Sequence, residues 1–210
     1  MPTSLFNIFK IGIGPSSSHT VGPMKAARSF LLTMKHKGLF HPSNISYIKT
    51  ELYGSLALTG RGHGTDKAII LGLMGEIPEK VLVDKITEKL EILKDTQKMK
   101  LLNEIEVPFN PKDHLIFYRT KRLAYHTNGM KFRAFFNSQE IFTQIYYSIG
   151  GGFIKSEEEI LSGNKEDSEV KIPYNFKTAV EMISLCEKNK ITIAQMVMEN
   201  EKAYRSESEI

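Results

Sequence analysis

Cysteine is nearly absent from this 210-residue chain and tryptophan is wholly absent; Cys186 is the only thiol. One cysteine forms no internal disulfide, and alone it cannot hold a structural zinc or an iron–sulfur cluster. That fits a reducing cytosol and removes most metal chemistry from this chain by itself. Long apolar runs are also missing. The longest, Ala68 to Met74, is interrupted by Gly72 and falls far short of the ~20 residues that cross a bilayer. The start, MPTSLFNIFK, lacks the basic and apolar segments of a signal peptide. A soluble, cytoplasmic protein without a membrane partner is expected. No dense basic stripe or nucleic-acid-binding module is present, so nucleic acid is not an expected partner either.

What remains is ordinary globular composition: 41% hydrophobic and 25% charged residues, with twelve Phe and eight Tyr. The length suits one domain, or one domain with an appended piece, and can bury a sizeable core. A net charge of +4 hides an asymmetry. Residues 1–75 carry eight basic and two acidic residues, residues 76–154 twelve and ten, and residues 155–210 eight and twelve. A basic first third rich in Gly, Ser and His suits a small anion such as a carboxylate.

Hydrophobic periodicity outlines the elements. A short helix or turn at Ser4–Lys10 precedes the loop GIGPSSSHTVGP, and a helix then runs to about Lys37 with Gly38 as its stop. Pro23 fits the first turn of that helix. A strand at Ile45–Leu52, a buried helix at Ala68–Met74 and an amphipathic helix at 81–95 follow; the last places Leu82, Ile86, Leu90 and Leu93 on one stripe. LIFYR, MKFRAFF and IFTQIYYSI read as consecutive antiparallel strands, with Asn128-Gly129 and Asn137-Ser138 as turns. The class is α+β, with helices packed on a mainly antiparallel sheet. Lys155–Lys171 reads as a mobile linker, followed by helices at about Lys177–Lys188 and Ile193–Arg205.

Two loops carry the candidate chemistry. Ser16, Ser17, Ser18, His19 and Thr20 lie between glycines directly before a helix, where hydroxyls, free backbone amides and the helix N-terminus favour an anion. The same pattern is also that of a capped helix start. Neither a P-loop nor a nucleophile elbow is present. In the second loop, Thr59-Gly60-Arg61-Gly62-His63-Gly64-Thr65-Asp66-Lys67, glycines flank His63 and leave its imidazole free to act as acid or base. The plainer reading is a turn, with Asp66 capping the next helix. His36 and His41 fit solvated or helix-end roles, His114 opens a strand, and His126 and Asn128 stand behind His19 and His63 as pocket candidates. Gly150-Gly151-Gly152 either admits close backbone approach or ends a strand. Cys186, on an apolar helical face with Met182, reads as an inert core thiol.

SLFNIFKIGIGPSSSHTVGPMKAA (4–27), GSLALTGRGHGTDKAIILGL (54–73), NGM (128–130) and YYSIGGGFI (146–154) together resemble the β domain of bacterial iron–sulfur L-serine dehydratases. The match runs in order from the first residues to about residue 205. The resemblance implies conversion of L-serine to pyruvate and ammonia with a [4Fe–4S] cluster and no pyridoxal phosphate. The cluster would be held by three cysteines of a separate α domain, with one iron open to substrate. It further implies a fold like the allosteric substrate-binding domain of phosphoglycerate dehydrogenases, and a homodimer. Residues 1–154 would be the β domain, 155–172 a linker and 173–210 the helical start of the α domain. This chain lacks the three cysteines, so it is expected to be a fragment of a single-chain enzyme, inactive alone, with no metal ligands of its own. His63 would take the α-proton, and Ser16, Ser17, Ser18, His19, Thr20, Gly64, Thr65 and Asn128 would bind substrate. The alternative is a non-catalytic domain that binds a small-carboxylate effector or dimerises.

Overall fold

Apolar residues alternate along the strands, and that alternation decides which face of the sheet is buried. In the computed structural model, which describes residues 4–9, 11–163 and 170–210, a five-stranded sheet has the order β4-β1-β5-β6-β7. Its strands are β1 (Tyr47–Tyr53), β4 (Leu115–Tyr118), β5 (Gly129–Phe136), β6 (Gln139–Gly150) and β7 (Phe153–Ser156). Ile48 and Leu52 of β1, with Met130, Phe132 and Ala134 of β5, are fully buried on the covered face. The helix α2 (Gly22–His36) covers it, and α4 (Thr65–Leu73) packs against α2. Phe30 of α2 stacks against Phe132 and Phe142 at ring-centroid distances of 5.5 and 5.4 Å. Three further helices, α3 (Gly54–Thr59), α5 (Val83–Thr96) and α6 (Pro111–His114), lie between β1 and β4, together with a separate hairpin of β2 (Lys98–Leu101) and β3 (Ile105–Pro108).

The α+β class is as expected, and the sheet is mixed. β4 pairs in parallel with β1, Thr50 opposite Leu115, rather than antiparallel with β5. The chain leaves β1 through α3 and returns through α6, so β4 enters in the same direction. Asn137-Ser138 is the β5–β6 hairpin turn, with φ of +46° and +66°, the conformation that two-residue hairpins favour. Asn128-Gly129 is not a turn between strands: Gly129 opens β5 and Asn128 is buried behind it. In the α5 stripe Leu93 is buried, while Leu82 precedes the helix and is exposed.

The linker expected from Lys155 begins later. Lys155 and Ser156 belong to β7, and Ser156 caps a further helix, α7 (Glu157–Leu161), in a reciprocal capping box with Glu159. Residues 164–169 of that stretch lie outside the described residues. The described residues fall into two units, one within Lys10–Asn164 and one combining the residues up to Phe9 with those from Lys165 onward. In the second unit, α8 (Ala179–Asn189) and α9 (Ile193–Glu201) form the expected pair. Cys186 is buried with its Sγ 3.8 Å from Met196 Sδ. The hydroxyl of Ser4, just before α1 (Leu5–Ile8), donates to the Glu201 carboxylate at 2.7 Å. Among the described residues no helix is long and apolar enough to cross a membrane.

Close contact of α2 with α4 depends on Gly72, where a Cβ would lie 2.2 Å from the Met24 carbonyl oxygen and 2.9 Å from Ala27 Cβ. Gly72→Ala gains helix propensity of about 1 kcal/mol, but overpacking at a backbone atom costs about 1–3 kcal/mol. A net loss of stability in urea unfolding is expected, and an unchanged or raised midpoint would contradict this packing.

Candidate active site

The serine loop is helical. Ser17–Val21 form a single π-helical turn that runs directly into α2, with the Gly22 N–H donating to the Ser17 carbonyl. Ser16 is its N-cap, accepting the His19 N–H at 3.3 Å. Pro23 follows immediately and has no N–H, so it offers no donor to the His19 carbonyl four residues earlier. The Thr65 hydroxyl supplies one at 2.6 Å from the start of α4. Conversely, the Thr20 hydroxyl donates to the His63 carbonyl at 2.9 Å. Each loop's threonine thus closes on the other loop's histidine. The two imidazoles are brought side by side, 4.9 Å between ring centroids and tilted by 44°.

His63 ends a 3₁₀ turn, Gly60–His63, between α3 and α4, and Gly64 takes the left-handed φ of +70° that lets α4 begin at once. Asp66 does not cap α4; its carboxylate accepts from the Lys67 N–H within the first turn. His63 Nδ1 lies 2.9 Å from the Thr59 carbonyl. A carbonyl only accepts, so Nδ1 carries the hydrogen, and the neutral ring presents its lone pair at Nε2. That is the tautomer a general base needs.

His19 is engaged at both nitrogens, Nδ1 with Ser18 Oγ at 2.9 Å and Nε2 with Ser55 Oγ at 3.1 Å. Burial, and then the neighbouring His63, lower its pKa from 6.5, against a smaller opposing pull from the Ser55 backbone. Both favour the uncharged imidazole. Ser55, in the first turn of α3, is the residue that sequence reasoning missed. Its side chain follows Gly54 in an unremarkable small-residue stretch, and only the chain's return past it reveals the contact.

The structure brings Ser16, Ser18, His19, Thr20, His63, Gly64 and Thr65 together, with Ser17 in the same turn. Asn128 forms part of the wall behind. Its amide donates to the Ser148 carbonyl at 3.1 Å, and the Thr127 carbonyl beside it accepts from the Ser55 N–H at 3.0 Å. His126 Nδ1 accepts the Asn128 N–H and so positions the strand entry. Among the described residues no group of three or more His, Cys, Asp or Glu could hold a metal. The only cysteine belongs to the other unit. The residues present do not fit the ligand set of an iron–sulfur cluster.

Residues 4–159 match the family model described as serine dehydratase beta chain. The chain is 42% identical to L-serine dehydratase TdcG of Escherichia coli (strain K12), covering 99% of this chain and 45% of that protein. It is 40% identical to an L-serine dehydratase of Streptomyces coelicolor, covering 100% and 46%. Against that of Haemophilus influenzae the identity is 41%, covering 99% and 45%. The chain thus spans less than half the length of these curated relatives.

The lowered pKa of His19 makes the fold acid-sensitive. A histidine whose folded pKa lies below its unfolded value contributes stability above that value, here 6.5, and loses it as pH falls through the folded pKa. The melting temperature is expected to drop as pH falls from 7.5 to about 5. His19→Asn should reduce that slope, and His114→Gln should reduce it further, because burial lowers the pKa of His114 too. An unchanged slope in His19→Asn would contradict the burial of a neutral imidazole.

Proposed function

The chain belongs to the serine dehydratase beta-chain family, and on that premise we propose that it forms the β domain of an L-serine dehydratase, which converts L-serine to pyruvate and ammonia. The observation that carries this reading is the 2.9 Å contact of His63 Nδ1 with the Thr59 carbonyl, which leaves Nε2 as the nitrogen the ring can present, beside the ring of His19. His63 Nε2 takes the α-proton of serine. The Cα–H electron pair becomes the Cα–Cβ double bond, and the β-hydroxyl leaves with its bonding pair and takes up one proton, matching the one that His63 removes, to emerge as water. The resulting aminoacrylate tautomerises to an imine and hydrolyses to pyruvate and ammonia.

The remaining residues bind and orient. The hydroxyls of Ser16, Ser17 and Ser18, with first-turn amides that have no preceding helical carbonyl, favour the substrate carboxylate. The hydroxyl hydrogens of Thr20 and Thr65 are committed to backbone carbonyls, so these two residues hold the loops in place. Gly64 permits the turn that presents His63, and Asn128 fixes the wall behind Ser55. A neutral His19 adds no charge to compete with the proton that His63 receives. The [4Fe–4S] cluster that the resemblance implies would have its ligands in a separate α domain, and that domain would complete the site.

Turnover by the complete dehydratase carrying this chain tests the assignment. His63→Ala should lower kcat by roughly 10²–10⁴-fold, while the melting temperature stays near that of the unsubstituted enzyme. Turnover within a few-fold of that enzyme would show that His63 is not the base.

A further inference from the structure

Both ring nitrogens of His19 are engaged by hydroxyls, which makes the ring one link in a row of hydrogen bonds. The row is Ser16 Oγ to Ser18 Oγ at 3.3 Å, Ser18 Oγ to His19 Nδ1 at 2.9 Å, and His19 Nε2 to Ser55 Oγ at 3.1 Å. A neutral imidazole has one hydrogen and each hydroxyl has one. If every link is a hydrogen bond, the row has only two senses. In one, Ser16 donates to Ser18, Ser18 to Nδ1, and Nε2–H to Ser55, which leaves the Ser55 hydroxyl hydrogen uncommitted. In the other every bond reverses, and the uncommitted hydrogen is on Ser16. The tautomer of His19 therefore decides which end of the row can donate.

The Ser55 end is the rigidly mounted one. Its N–H donates to the Thr127 carbonyl at 3.0 Å, and its carbonyl accepts the Thr59 hydroxyl at 3.0 Å. The Gly54 N–H before it donates to the Lys121 carbonyl at 2.9 Å. Thr59, at the far end of the same helix, carries the carbonyl that fixes His63. One six-residue helix thus sets both Ser55 and the proposed base. The two acidic residues of the first 75 are both engaged, Glu51 by Arg133 at 3.1 Å and by the Tyr53 hydroxyl at 2.8 Å, and Asp66 by the Lys67 N–H at 2.9 Å.

We infer that Ser55 is a further substrate-binding residue, whose hydroxyl accepts from His19 Nε2–H and donates its own hydrogen to a carboxylate oxygen of the amino-acid substrate. A carboxylate there selects the sense of the row that ends on Ser55. The substrate's identity as L-serine rests on the proposed function; the row of hydrogen bonds does not.

The test uses Ser55→Ala and Ser55→Thr in the complete dehydratase, beside His63→Ala. Ser55→Ala should raise KM for L-serine about tenfold or more, as loss of a hydrogen bond to a charged group does, with kcat changed less than KM. Ser55→Thr, which keeps the hydroxyl, should restore KM to within about threefold. Ser55→Cys, of similar size but a weak donor, takes its place if the threonine variant does not fold, and should give an intermediate KM. An unchanged KM in Ser55→Ala, or equal loss in the alanine and threonine variants, would overturn the inference even if His63→Ala abolished turnover. Full turnover in His63→Ala with the Ser55 split intact would instead remove the base and leave Ser55 standing. Imidazole ¹⁵N spectra of the present chain supply a readout without activity. Ser55→Ala removes the partner of Nε2, so the division of the His19 hydrogen between Nδ1 and Nε2 should change; the same spectrum in both would contradict the row.

Discussion

Two threonine hydroxyls that each close on the other loop's histidine carbonyl are the constraint on which the site depends. Pro23, without an N–H, offers no donor to the His19 carbonyl four residues before it. Thr65 supplies one from a different helix. Thr20 makes the return bond to His63. Neither loop is set without the other, and the pair of imidazoles exists only because both are.

The sheet gives this clasp its fixed frame. β1 runs straight into α3, whose first turn holds His19 through Ser55 and whose last residue holds His63 through Thr59. α2, which continues the turn that bears Thr20, and α4, which begins at Thr65, pack at the spacing that Gly72 permits. The π-helical turn fits the same pattern, since such turns occur mainly at functional sites. The serine loop is thereby a rigid extension of α2 rather than a flexible cradle.

Much of this was legible in the sequence, and the failures have physical causes. The α2 span, its Gly38 stop and the Asn137-Ser138 hairpin follow from local chemistry, and the structure contains them. The parallel pairing of β4 was not legible, because side-chain alternation marks a strand without saying which neighbour it takes. Asn128-Gly129 carries the same local signal as a hairpin turn, yet Asn128 serves a buried bond to the strand beside it. Ser156 and Glu159 did carry a readable capping box, which the polar composition of the following stretch obscured. The histidines and their glycines stood out by residue type. Their partners did not, because the Thr59 and His19 carbonyls are backbone atoms and Ser55 lies 36 residues from the ring it holds.

The most direct test is a double-mutant cycle on Thr20→Val and Thr65→Val, read as unfolding free energy in urea. If the two hydroxyls jointly hold one pair of loops, breaking either loosens the other. The double variant should then lose less stability than the sum of the singles, by about 0.5 kcal/mol or more. Losses that add to within about 0.3 kcal/mol would mean independent bonds, and would contradict the claim that one clasp brings the histidines together.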